Sequence, residues 1–568
     1  MGGDGGLRER ILNELISVDN AIALASQTLE LLSRKILSVS ERSIIEDAVG
    51  LPIAMDVKSP LCSPRYPRSS LDGCAVRSGM VSKGSKLKIA SRSRPGGEPA
   101  KLESPENTCV WVDTGAPIPV GSDSVVPLEE LEINGEDVIL LSEPAPWRGV
   151  SMPCSDVTRG QMLAWRGDPI TVESAASLRS IGYREVNVGR RLRACIASIG
   201  DELEDPPACS KRGKVCESNR LIMKSRLLAL GVDVYDMGIV RDDPSEINRL
   251  FEESNKRGCD MLLTSGGSSV GLSDYIPVSE PQLVFRGVSV RPGRPTSLYV
   301  REGLPVFSLP GNPRSALTSL RLIVEPSLAH ARLPVMGEFR ARATFIGHIK
   351  SAKRDQHVPV VLVRCGLKAL AIPIALESFM VVSWAVADGY VLASSGTSIN
   401  PGQEVEVIGF RGPRPEFLVD FTESGLGELL AKPYISGPSS LSIIHFKQVP
   451  EDCENLMIAA PRLAARQYLS HMNIIRSWME SVSLVGRKNC ATNYTAVPDV
   501  ILHSELANVI PRKGSLLRVP NFQAAARLVE DGYVCNALLK SEDAQKLNNT
   551  YDIFEIIDSH SFEAVLLS

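Results

Sequence analysis

Several absences narrow what this chain can do. None of its seven histidines precedes His330, so everything upstream must work without imidazole, and a Ser-His-Asp nucleophile or a histidine-ligated metal is excluded there. The twelve cysteines include no C-x-x-C pair. The nearest notable spacing, Cys209 to Cys216, has neither a matching second pair nor a neighbouring histidine, so zinc is not indicated and reduced, mostly buried thiols are expected. There is no basic run, and the net charge is -4; nucleic acid and anionic membrane are therefore poor partners. The opening "MGGDGGLRERILNELISVDN" has no apolar core followed by a small-residue cleavage site, which predicts a cytoplasmic protein. The most apolar stretch, Ala369 to Leu392, is broken by Pro373, Glu377, Asp388 and Gly389 and predicts buried strands rather than a membrane span.

With 568 residues, 43% hydrophobic and 23% charged, the chain is long enough for roughly four domains. From Leu192 a regular alternation begins: "RACIASIG", a helical stretch from Asn219 to Leu230, "VDVYDMGIV", a second helix near Pro244 to Lys256, then "CDMLLTSGG". Ile247, Leu250 and Phe251 give the second helix one apolar face; Asp243 can cap it, with Pro244 at its first position and Glu246 where a capping box needs it. This β-α-β-α-β order predicts a parallel sheet whose ligands bind beyond the carboxyl ends of the strands. An apolar helix is expected from about Ala316 to Val324. Residues 51–148 are rich in Pro, Gly and short apolar runs and predict a β-rich insert. Residues 334–411 predict a compact β domain, Arg411 to Phe417 a linker, and 412–568 an α/β tail in which Asn521 caps a helix and Gly532 ends it.

The candidate site residues fall on the strand-end loops. "SGGSSVG", with Ser265, Gly266, Gly267, Ser268, Ser269 and Gly271, offers amide N–H groups and hydroxyls without side-chain bulk, as a phosphate cradle would. A glycine turn needing positive φ explains it as well. Asp274 on that loop, Asp242 after the second strand and Glu202 after the first would repel a phosphate unless a hard cation bridged them, and Mg²⁺ is the natural one. Asp243 is accounted for by capping. Arg291 and Arg294 flank the stiff turn "RPGRP" and could hold an oxyanion. Asp72 in "RSSLDGCAV" is a carboxylate in a Ser/Gly turn.

Taken in order, "SSLDGCAVR", "DTGAPIPVGSDSVV", "IGDEL", "RDDP", "SGGSSVGLSDY", "RPGRP" and "LPGNPRSA" resemble the molybdopterin molybdenumtransferase family, of the MoeA and gephyrin type, over about the first 410 residues. The resemblance implies a fold of four domains in a homodimer: a linking domain of residues 1–50 and 149–188, the β-rich insert 51–148, an α/β molybdopterin-binding domain 189–333 and a β domain 334–411. It implies Mg²⁺-dependent transfer of molybdenum, or tungsten, from molybdate or tungstate into adenylylated molybdopterin with release of AMP. Asp72, Glu202, Asp242 and Asp274 would be catalytic, the last three also holding the metal. Thr114, Asp156 and the glycine-serine loop would bind the pterin, and Arg291, Pro292, Arg294 and Pro295 would shape the molybdate pocket. A non-catalytic pterin or oxyanion sensor of the same ancestry is the alternative. Residues 412–568 resemble a periplasmic-binding-protein-like domain. The chain departs from the family at Cys74 for a tyrosine, Ile199 for a threonine, and in "GVSMPCSDV", where of the usual Asn-x-Arg-x-x-Gly-x-Asp only Asp156 remains.

Overall fold

The computed structural model describes residues 15–37, 40–210, 213–266, 282–365, 368–374 and 381–414, with strands and helices of a C-terminal module between 417 and 567. The central α/β unit runs β1 (Arg193–Ile199), α1 (Asn219–Ala229), β2 (Asp233–Val240), α2 (Pro244–Lys256), β3 (Met261–Ser265), β4 (Gln282–Arg286), β5 (Ser297–Arg301) and β6 (Leu304–Leu309). Its six-stranded sheet has the order β2-β1-β3-β6-β5-β4. β1 pairs in parallel with β2 and β3, and β3 with β6, while β4 and β5 form an antiparallel edge. The parallel β-α-β-α-β reading is what the chain adopts.

β1 shows why the sheet needs cover on both faces. Ala194 and Ile196 pack into one apolar cluster with Met223 and Leu227 of α1, whereas Cys195, Ala197 and Ile199 pack into another with Ile247, Leu250 and Phe251 of α2. Period-two alternation with both faces apolar is the signature of a buried parallel strand. α2 starts as expected: Asp243 accepts the Ser245 and Glu246 amides at 2.9 and 3.2 Å, ahead of Pro244. The helix expected near Ala316 is longer, spanning Pro313–Ser319 and Glu325–His330 with a π turn at Leu320–Val324 between them. The wider turn lies immediately before Pro326, whose ring and missing N–H disrupt ordinary α-helical bonding.

Around this unit sit three others. A six-stranded sheet built from strands between Gly73 and Leu140 forms the β-rich insert, and a closed five-stranded barrel spans Phe339–Gly409. The apolar stretch after Ala369 supplies the barrel strands Lys368–Pro373 and Gly389–Ala393, not a membrane segment. Among the described residues no helix is long and apolar enough to cross a membrane. The C-terminal module is a mixed seven-stranded sheet with helices Phe522–Glu530 and Ser541–Thr550. Asn521 does cap the first, its Oδ1 accepting the Ala524 amide at 2.8 Å; Gly532 lies outside the described residues.

Two expectations are corrected. The thiols are not all reduced: Cys62–Cys154, Cys195–Cys259 and Cys209–Cys216 are disulfides. Cys74, Cys109 and Cys365 are buried and stand outside these disulfides. Nor is the start of "RGPRPEF" a loose linker. Arg411 and Arg414 are buried with Arg332 around Asp168 and Asp388: Arg414 Nε lies 3.0 Å from Asp388 and Arg332 Nη1 3.0 Å from the same carboxylate. Ionic side chains from the linking region, the α/β unit, the barrel and the strap beyond it meet there, because a guanidinium taken out of water needs a carboxylate partner.

Candidate functional site

Three groups of side chains carry the candidate chemistry. The first lies at the carboxyl ends of β1, β3 and β6. Ser198 donates to Glu217 Oε1 at 2.7 Å and lies 3.0 Å from Ser265 Oγ. Glu217 also receives the Arg220 amide at 2.9 Å, in effect serving the first turn of α1 where Ser218 offers no side-chain cap. A carboxylate is favoured there by the helix dipole. Arg220 in turn is held by Asp205, by Asp236 at 2.9 Å and by Glu217 at 3.2 Å. Glu217 reaches this position because the chain after β1 doubles back: Leu203–Glu204 pairs with Val215–Cys216, and the Cys209–Cys216 disulfide closes the excursion.

Gly266 makes the turn out of β3. Its φ is +82°, and a Cβ there would lie 2.2 Å from the Ile199 carbonyl oxygen, so only glycine fits. Thr264 Oγ1 and Ser308 Oγ on these strands and Asn219 Oδ1 at the start of α1 are buried without a hydrogen-bond partner among the described residues, an unusual concentration of unmet polar atoms. Gly267, Ser268, Ser269, Gly271 and Asp274 lie outside the described residues. Asp201, Glu202 and Asp242 stand together on the rim, all exposed. Partial desolvation, then the charges of Asp201 and Glu202, hold the Asp242 carboxyl above its ordinary range. Among the described residues no cluster of three acidic, histidine or cysteine side chains is arranged to hold a metal ion.

The second group lies on the β-rich insert and the linking region. Asp72 Oδ1 accepts both the amide and the hydroxyl of Thr114, at 2.7 and 3.1 Å. Asp156 is 1% exposed and accepts from Ser63 Oγ at 3.4 Å. It also faces Arg68, whose pKa burial lowers and Asp156 partly restores. The structure thus brings Asp72 together with Thr114, and sets Asp156 behind its own loop rather than on open surface.

The third group is the "RPGRP" turn. Gly293 O accepts the Thr296 hydroxyl at 2.6 Å, and that hydroxyl lies 2.6 Å from Ser319 Oγ. Arg291 and Arg294 are exposed on this pinned turn beside Pro292 and Pro295, and neither pairs with a carboxylate among the described residues. Reading the residues alone missed Ser198, Glu217 and Arg220. The signal was present in "CESNR", a carboxylate immediately before a helix N-terminus that follows a strand-end loop.

Three family descriptions match the chain: "MoeA N-terminal region (domain I and II)" over residues 16–182, "Probable molybdopterin binding domain" over 195–330 and "MoeA C-terminal region (domain IV)" over 342–410. A molybdopterin molybdenumtransferase of Haemophilus influenzae is 32% identical over 289 residues, 50% of this chain and 71% of that one. The chain belongs to the molybdopterin molybdenumtransferase family. It is an enzyme of that family, with a role in molybdenum cofactor biosynthesis. Molybdopterin molybdenumtransferase 2 of Mycobacterium tuberculosis is 27% identical over 300 residues, 50% of this chain and 74% of that protein. Among solved structures, the molybdopterin biosynthesis MoeA protein from Pyrococcus horikosii is 28% identical, covering 70% of this chain and all of its own, with a TM-score of 0.39. The molybdopterin-binding match encloses the whole first group of site residues, and the N-terminal match encloses Asp72, Thr114 and Asp156.

Proposed function

We propose that this molybdenumtransferase inserts molybdenum from molybdate, or tungsten from tungstate, into adenylylated molybdopterin and releases AMP, acting as a cytoplasmic homodimer. The observation that carries the reading is the polar rim at the strand ends. A turn that only glycine can make, unmet hydroxyls and the Ser198–Glu217–Arg220 network sit where a parallel sheet binds its ligand. Two exposed guanidiniums on the RPGRP turn, without a carboxylate partner among the described residues, suit a tetrahedral oxyanion.

The carboxylates of Glu202 and Asp242, which repel one another across the rim, are oxygen donors of the kind a hard cation prefers. With Asp274 they would hold Mg²⁺, which when bound would neutralise the pyrophosphate as its P–O bond breaks. Glu217, kept in place by Ser198 and Arg220, would orient the substrate against the rim. Asp72 and Thr114 on the insert and Asp156 on the linking region belong to other domains, which fits a cleft shared between two subunits. For the C-terminal module, whose mixed sheet carries helices, the reading is a periplasmic-binding-protein-like domain that takes a small oxyanion.

Incubating the full chain with adenylylated molybdopterin, Mg²⁺ and molybdate should yield AMP, and Asp274→Asn should abolish that yield with thermal stability little changed. Tight pterin binding without AMP would instead mark a sensor. Titrating the chain with molybdate before and after Arg291→Ala and Arg294→Ala would show whether a second oxyanion site survives in the tail.

A further inference from the structure

The C-terminal module takes hold of one loop of the linking region. Asn521 is 1% exposed; while its Oδ1 caps helix Phe522–Glu530, its Nδ2 donates to the Cys154 carbonyl at 2.9 Å. Gln523 brackets Arg159, accepting that residue's amide on Oε1 at 2.9 Å and donating from Nε2 to its carbonyl at 3.1 Å. The two residues therefore grip both ends of Cys154–Arg159, with Asp156 between. Ala524, Ala525 and Leu528 of the helix share an apolar cluster with Cys62 and Cys154. From the other side the loop is bonded to Ser63 and Pro64, with the Cys154 amide 2.8 Å from Pro64 O and the Asp156 amide 2.9 Å from Ser63 O.

The loop has reason to need holding. Cys154 adopts φ +56°, a left-handed conformation that an L side chain visits only when its surroundings impose it. In the pattern Asn-x-Arg-x-x-Gly-x-Asp, of which this segment keeps only Asp156, that position is glycine. Here the side chain is tied to Cys62 and the carbonyl to Asn521. Gln523 bonds backbone on both sides and reads no side chain, so what it determines is the path of the main chain.

We infer that Asn521 and Gln523 are positioning residues for Asp156: the C-terminal module braces the Cys154–Arg159 loop in the geometry that pterin binding requires. The inference rests on the reading of Asp156 as a pterin-site residue. Its test uses the full chain carrying Gln523→Ala, which spares the Asn521 cap, with Gln523→Glu as the conservative variant that keeps the acceptor and loses the donor. Gln523→Ala removes both hydrogen bonds to Arg159, and the expected result is a rise in KM for adenylylated molybdopterin of roughly 5–10-fold, within the net worth of two exposed neutral hydrogen bonds. Gln523→Glu should show a smaller rise, kcat should change little, and amide hydrogen exchange across 154–159 should accelerate. Asp156→Asn separates the two ideas. If it raises KM while Gln523→Ala alters neither KM nor exchange, the brace is wrong and the pterin-site reading stands. If it leaves KM unchanged, that reading of Asp156 is wrong, and the exchange result alone decides whether the module braces the loop. Faster turnover in Gln523→Ala would mean that the module obstructs the site, and would overturn the inference.

Discussion

Arg332 closes on Asp168 with Nε at 3.2 Å and Nη2 at 2.6 Å, joining the end of the last α/β helix to a residue 164 positions earlier. Burial pushes the Asp168 carboxyl up, but the guanidiniums of Arg332, Arg414 and Arg411 outweigh it and hold the group below the usual carboxylate range. Burial lowers the Arg411 guanidinium to about 10 despite both aspartates. Asp168→Asn would leave three buried cations facing Asp388 alone. It should destabilise the chain by about 3–5 kcal/mol, seen as an earlier first transition in urea unfolding.

His330 adds a second contribution that is lost on acidification, here through burial rather than pairing. Burial first, then the Arg364 guanidinium, lowers its pKa to about 4, with Asp19 opposing and Phe339 packed 5.2 Å from its ring. The folded chain therefore binds fewer protons than the unfolded one between about pH 4 and 6.5. Stability conferred by neutral His330 is complete above pH 6.5 and is lost as pH falls through that window, by at most about 3 kcal/mol. His330→Phe should flatten the melting temperature between pH 6.5 and 4; an unchanged slope would contradict the assignment.

Glu217 depends on Ser198 and supports Arg220, so its removal should be felt beyond its own contacts. Glu217→Gln is expected to lower the rate of AMP release by about a hundredfold, and Ser198→Ala by less, because Arg220 still anchors the carboxylate. Equal losses would show that the Ser198 hydroxyl has a role of its own.

Asp242 should act as the pH- and Mg²⁺-sensitive member of the rim. Its raised pKa means that the folded chain holds the proton more tightly than the unfolded one, so stability declines as pH rises from the ordinary aspartate value through the raised one and is level beyond it. Asp242→Asn should melt higher than the parent at neutral pH and equal it in acid, while requiring more Mg²⁺ for half-maximal AMP release. A variant that melts lower at neutral pH would point to a structural duty.

The disulfides are checked by thiol counting. In denaturant without reductant, at least six of the twelve cysteines should fail to react, and mass spectrometry of the unreduced digest should return the three pairs. Cys195→Ser should cost up to about 4 kcal/mol, the closure entropy of a 64-residue separation.

The parallel sheet was legible because its strands and helices carry their own periods, and the Asp243 and Asn521 caps because a cap is a local pattern. What was not legible depends on approach between distant segments. Cys62 and Cys195 find partners 92 and 64 residues away, a relation no spacing rule contains. Arg411 and Arg414 sit among prolines and glycines that suggest a linker, and only Asp168 and Asp388 show them to be buried. Glu217 was overlooked because its neighbourhood has no periodicity; the Cys209–Cys216 excursion alone brings it under Ser198. Asp72 and Thr114 lie 42 residues apart, and their mutual hydrogen bonds emerge only when Gly73–Val76 and Thr108–Val112 pair as strands.

The strap at Arg411 and Arg414 also defines where this architecture can be cut and rejoined. The family matches stop at residue 410, yet the next residue is fully buried and Arg414 Nη2 bonds the Val386 carbonyl at 3.0 Å. A chimera that exchanges the tail at the family boundary would strip two cations from a sealed junction and leave two buried aspartates short of partners. The seam between the family-matched domains and the C-terminal module lies after Arg414, and a graft made there keeps the matched domains whole.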